Sequence, residues 1–227
     1  MKIRAILFDL DNTLVDFMQM KEEACKAAVQ AMIDAGLNMN EKEAYARLML
    51  TYFTLGLESD IAFTEFLREI GQFEHKILAA AINNYLKIKT GFVKPYPGVE
   101  HVLEKLRKKD LILVIATDAP KTKAYQRLLM MGIEPYFKFV VGFEDTNSKK
   151  LTGLPLLLAL ELLRKEIPDI ATSEILMVGD SISRDLSPAG KLGFKTAHAK
   201  YGQRENETGT VDYELASLQD LIKLVDN

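Results

Sequence analysis

The run Ile3-Arg4-Ala5-Ile6-Leu7-Phe8-Asp9-Leu10-Asp11-Asn12-Thr13-Leu14-Val15-Asp16 decides how this chain is read. A mostly apolar segment of strand length stops abruptly at two aspartates, one residue apart, and a threonine. Runs of this kind form strands buried on both faces, as in parallel sheets. Open α/β sheets place their chemistry beyond the carboxyl ends of such strands. In an extended backbone, side chains two apart share a face, so Asp9 and Asp11 are expected to point the same way. Two crowded carboxylates repel unless a cation or a shared proton relieves them. The stretch therefore points to metal-assisted chemistry.

Outward from this stretch the texture changes. Apolar residues at Phe17, Met20, Ala24, Ala28, Ala31 and Ala35 keep three- and four-residue spacing up to Gly36, which predicts a helix. Asn40-Glu41 starts a second helix that ends near Gly56. Two further helical patterns follow, around Ile61–Ile70 and Phe73–Lys87, before Pro95-Tyr96-Pro97-Gly98 breaks the chain. Strands are then expected at 111–116, 137–141, 174–178, 195–197 and 211–213, alternating with helices near 98–109, 120–131, 155–165, 183–192 and 218–225. That alternation predicts an α/β fold, a Rossmann-like parallel sheet flanked by helices. Residues 1–16 and 93–227 form its core, and 17–92 an inserted all-helical domain.

Composition narrows the partners. The 227 residues are 48% hydrophobic and 27% charged, with a net charge of −3, so no polybasic field favours nucleic acid. Cys25 is the only cysteine, which excludes an internal disulfide and fits a reducing compartment. The segment Ile3–Phe8 is too short for a signal peptide or a membrane span, so a cytoplasmic protein without a membrane partner is expected. The oligomeric state is not legible.

Three expected strands end in polar residues: Asp9, Asp11 and Thr13; Thr117 and Asp118; Gly179 and Asp180, with Asp185 shortly after. Lys150 precedes the helix that carries Ala159. This set resembles the haloacid dehalogenase-like superfamily, in its phosphatase branch. That family opens with Asp-x-Asp-x-Thr, has Ser or Thr at the next core strand end, then a lysine, then Gly-Asp-x-x-x-x-Asp. An insert directly after the first motif is, in such proteins, a helical cap. The resemblance departs at the lysine, where Lys149-Lys150-Leu151-Thr152-Gly153 stands in place of Lys-Pro-x-Pro. Register favours Lys150, with Lys149 beside it.

The resemblance implies a Mg²⁺-dependent phosphatase of a small phosphorylated metabolite. Asp9 would be the nucleophile that forms an aspartyl-phosphate. Asp11 would be the general acid and base. Asp9, the backbone carbonyl of Asp11, and Asp180 would hold the metal, with Asp185 on a metal-bound water or orienting Lys150. Thr117, backbone amides around Asp118, and Lys150 would bind the phosphate. Dehalogenation is disfavoured, because dehalogenases of the family lack the second aspartate. A phosphomutase and a non-catalytic binding or regulatory protein on the same fold are the alternatives. Plainer roles compete at single positions. Asp11-Asn12-Thr13 has turn chemistry, Thr117 or Ser183 could cap a helix, and Asp185 suits a first helical turn. His75, His101 and His198 show no ligand spacing.

Overall fold

Strand β1 (Ala5–Phe8) lies inside a parallel sheet of order β3-β2-β1-β4-β5-β6, formed with β2 (Ile112–Ala116), β3 (Phe139–Val141), β4 (Ile175–Gly179), β5 (Lys195–Ala199) and β6 (Tyr213–Leu215). This computed structural model describes residues 2–204 and 206–226. Every pairing in the sheet is parallel. Side chains alternate between the two faces, as period-2 geometry requires. Ile6, Phe8, Leu113, Ile115, Leu176 and Val178 enter one apolar core, while Ala5, Leu7, Val114, Ala116, Ile175 and Met177 enter the other. Helices α5 (Val99–Arg107), α6 (Lys121–Met130) and α9 (Asp220–Asp226) supply the first core. Helices α7 (Leu154–Glu166) and α8 (Ser187–Lys191) supply the second. A sheet sandwiched in this way is a doubly wound α/β fold.

Register positions the chemistry. Phe8 is level with Ile115 on one side and Val178 on the other. Asp9, Thr117 and Asp180 therefore leave the sheet at one edge, within a single residue of the same level.

The chain divides into two compact units, residues 1–16 with 94–227, and residues 17–93. The second unit is all helical: α1 (Phe17–Asp34), α2 (Glu41–Leu55), α3 (Ala62–Glu69) and α4 (His75–Phe92). Asn40 caps α2 by accepting from the Lys42 N–H at 3.0 Å. The helices enclose their own core around Cys25, Met32, Leu48, Phe66 and Leu67. Within it the Phe63 ring packs edge-on against both Tyr52 and Tyr85. No helix is long and apolar enough to cross a membrane among the described residues.

Two elements differ from expectation. The helix expected over 183–192 opens as a wide π-type turn at Ile182–Leu186 and becomes α8 only from Ser187. Ser181 Oγ accepts from the Arg184 N–H, and Asp185 turns back to accept from the Ser181 N–H at 3.2 Å, which reshapes the first turn. The last strand lies at Tyr213–Leu215 rather than 211–213. Asp212 uses its carboxylate to accept from the Thr196 N–H and hydroxyl, so strand pairing begins one residue later, at Tyr213.

Candidate active site

Asp9 extends β1 beyond the last sheet residue and is buried. Thr13 donates its hydroxyl to Asp9 Oδ2 at 3.3 Å, and the Lys150 ammonium pairs with Asp9 Oδ1. Lys150 is only 2% exposed and also meets Asp185 Oδ1 at 2.8 Å. Its neighbour Lys149 is exposed. The short turn Lys150–Thr152 aims Lys150 inward, and Asp118 fixes that turn by accepting from the Lys150 N–H at 2.7 Å.

One expectation is corrected here. Asp9 and Asp11 do not point the same way. The strand ends at Phe8, so strict alternation stops there. The chain folds into a tight turn in which the Leu14 and Val15 N–H groups return to the Leu10 carbonyl. Asn12 takes φ +60°, a conformation its short polar side chain tolerates. Asp11 consequently faces α6, where Arg127 Nη2 donates to its Oδ2 at 3.0 Å. The carboxylates crowding Asp9 are Asp180 and Asp185, from the far end of the chain.

Asp9, Asp180 and Asp185 each offer an oxygen within 4.8 Å of the others, and all three are buried. Asp185 folds against Gly179, where a Cβ would stand 2.5 Å from its Oδ2, so the Gly-Asp pair needs the glycine. Burial, and then the charges of Asp9 and Asp185, push the Asp180 carboxyl up to about 8. Burial raises Asp185 as well, against the pull of Lys150. Burial works against the Lys150 ammonium, but Asp185 and Asp9 outweigh it and raise its proton affinity.

These residues fit a divalent cation. Three carboxylates face the buried Lys150 ammonium and the more exposed Arg184 guanidinium, 3.6 Å from Asp180 Oδ1, so the ionised cluster keeps a net negative charge. Asp180 Oδ1 is buried without a hydrogen-bond partner. An all-oxygen donor set suits a hard ion. Asp11 contributes no carboxylate oxygen to this cluster.

Thr117 lies buried at the end of β2, and its Oγ accepts from the Ala119 N–H at 3.2 Å. It caps its own turn rather than α6, whose preceding residue is Pro120. Its hydroxyl proton is left to donate outward. Asp118 is committed to Lys150, so what it can offer a phosphate is its backbone N–H and not its carboxylate.

Several supporting residues escape the sequence motifs. Glu207 accepts from Ser181 Oγ at 2.8 Å and the Ser183 N–H at 2.7 Å, clamping the turn after Asp180. His198 Nε2 lies 3.1 Å from the Asp180 carbonyl. Tyr201 donates to the Thr13 carbonyl at 2.8 Å. Arg127 did leave a trace in sequence, as a cation on the face of α6 that also carries Ala124 and Leu128. Glu207 left none, because the segment around it has no periodicity.

The doubly wound sheet thus carries a buried aspartate–lysine cluster at its carboxyl edge. The family profile of the haloacid dehalogenase-like hydrolases matches residues 3–193. A glyceraldehyde 3-phosphate phosphatase of Methanocaldococcus jannaschii is 32% identical over 229 residues, covering 99% of this chain and 98% of the relative. A phosphoglycolate phosphatase of Aquifex aeolicus is 28% identical over 225 residues, covering 99% and 98%. The crystal structure of a phosphatase of the family from Thermococcus onnurineus superposes with a TM-score of 0.68 at 23% identity, covering 98% of each chain. The chain belongs to the haloacid dehalogenase-like hydrolases, in their phosphatase branch.

Proposed function

We propose that this protein is a Mg²⁺-dependent phosphatase that hydrolyses a small phosphorylated metabolite through an aspartyl-phosphate on Asp9. The observation that carries the reading is the setting of Asp9, buried between the Lys150 ammonium and the Thr13 hydroxyl, beside Asp180 and Asp185. One Asp9 oxygen attacks phosphorus while the bond to the leaving oxygen breaks, and Asp11 delivers a proton to that oxygen. Asp11 then takes a proton from the water that attacks the phosphoenzyme, and Asp9 is released. Lys150 and the Thr117 hydroxyl stabilise charge on the transferring oxygens. Asp9, Asp180 and Asp185, with the Asp11 carbonyl, would hold Mg²⁺, which offsets repulsion between Asp9 and the phosphate dianion. Residues 17–93 act as a cap that excludes water and contacts the organic part of the substrate. The names of the relatives support short phosphorylated aldehydes or acids as the substrate class.

The test is phosphate release from p-nitrophenyl phosphate, glyceraldehyde 3-phosphate and phosphoglycolate, with Mg²⁺ and with EDTA. Turnover should require Mg²⁺ and return when the ion is restored. Asp9→Asn should be inactive while folded, because an amide is not a competent nucleophile. Full activity in EDTA, or wild-type turnover by Asp9→Asn, overturns the reading.

A further inference from the structure

Arg127 stands on the buried face of α6 at 2% exposure, one turn from Ala124 and beside Leu128, both within the apolar core. A buried guanidinium is costly unless it is paired. Arg127 donates from Nη2 to Asp11 Oδ2 at 3.0 Å, and the core packing of α6 fixes where that donor can be. Arg127 comes from α6, which packs into one core of the sheet, whereas Lys150 leads into α7, which packs into the other. Each of the two motif aspartates thus has its own buried cation, and the two cations come from opposite faces of the sheet. One carboxylate is held in the oxygen cluster and the other apart from it.

We propose that Arg127 is the positioning residue of the proton-transfer carboxylate Asp11, an inference that rests on the phosphatase reading above. Its guanidinium holds Asp11 clear of the Asp9–Asp180–Asp185 cluster, so Asp11 serves the leaving oxygen rather than entering the cation site. When the bond from phosphorus to the leaving oxygen breaks, the Asp11 proton passes to that oxygen and Asp11 becomes a carboxylate. Arg127 stabilises the charge so formed, in place, without reorganisation. The attacking water then returns a proton to Asp11 as its oxygen bonds to phosphorus and the Asp9 oxygen leaves. Arg127 touches neither substrate nor phosphate in this scheme and acts only through Asp11.

The leaving group provides the test. An alkyl phosphate needs a proton donor at the leaving oxygen, whereas p-nitrophenolate departs without one. The parameter to compare is kcat/KM, which reports the steps up to leaving-group departure. Arg127→Met should lower kcat/KM for an alkyl phosphate by about a hundredfold, the scale of a positioned acid, and for p-nitrophenyl phosphate by about threefold or less. Arg127→Lys keeps a cation in the slot and should recover part of the alkyl activity. Arg127→Met removes a buried charge opposite Asp11 and costs stability, so the double variant Asp11→Asn/Arg127→Met, which removes both charges, completes the cycle. It should be no slower than Asp11→Asn alone, because a residue acting through Asp11 adds nothing once Asp11 is neutral. Equal losses on both substrate classes, or a double variant much slower than Asp11→Asn, overturn the role of Arg127. A wild-type protein inactive on every phosphate ester overturns the phosphatase reading itself.

Discussion

Asp9, Asp180 and Asp185 crowd around the buried Lys150 ammonium, so Lys150 has a structural task beside the phosphate-binding role proposed for it. Replacing it with Met leaves two buried carboxylates without their cation, a loss on the scale of about 3–5 kcal/mol when one partner of a buried pair is removed. In the assay, Lys150→Met should lower kcat by about a hundredfold or more, the scale of a deleted preorganised donor. Lys149→Met should stay within about 0.5 kcal/mol of wild type, as expected for an exposed side chain. The two variants compared by thermal melting and by turnover decide the assignment. A damaging Lys149→Met with a benign Lys150→Met would reverse it.

At the scale of elements, the turn at 9–16 is braced by the loop that follows β5. Tyr201 donates to the Thr13 carbonyl, Arg204 pairs with Asp16, and the Tyr201 ring meets Tyr96 edge-on at 5.2 Å between centroids. Gly202 lies so close to the turn that an added Cβ would stand 1.6 Å from the Asn12 carbonyl oxygen. No side chain fits there without moving backbone. Gly202→Ala should therefore lower the melting temperature and reduce turnover together, because the displaced turn carries Asp11 and Thr13. Gly190→Ala is the control: its Cβ would meet only Thr196 Cγ2 at 3.9 Å, an ordinary van der Waals contact. Wild-type melting and activity in Gly202→Ala would show that the brace is dispensable.

At the scale of the molecule, two units with separate cores make the single thiol a reporter on one of them. Cys25 is fully buried in the helical unit, and burial pushes its thiol up to about 11, with Lys21 opposing. The folded value exceeds the ordinary value of 9.0, so the stability linked to this group is fully present below 9.0 and is lost as pH rises through about 11. Iodoacetamide at pH 8 should therefore label native protein slowly, at a rate set by opening of the helical core. Phe66→Ala, which removes a buried ring at a cost of about 3–5 kcal/mol, should accelerate the labelling strongly. Rapid stoichiometric labelling of the native wild type at pH 8 would contradict the buried thiol.

Much of this was legible in the chain itself. Strand and helix periods are local properties, so the alternation after residue 98 announces the parallel sheet, and the texture of 17–92 announces the run of helices α1 to α4. The acids at the strand ends are legible for the same reason, since a parallel sheet brings those ends to one edge. Side-chain direction beyond a strand end is not local. Nothing in Asp9-Leu10-Asp11 says that the backbone leaves the extended state after Phe8, and so the two aspartates were expected to share a face. The hydrogen bonds of the turn to Leu10, the close approach of Gly202 to Asn12 and the burial of Arg127 in α6 send them to opposite cations. Sequence determined which residues reach the carboxyl edge of the sheet, because hydrophobic period sets strand ends. Tertiary structure alone decided which charge each carboxylate meets, because pairing depends on groups more than a hundred residues apart packing into one desolvated space.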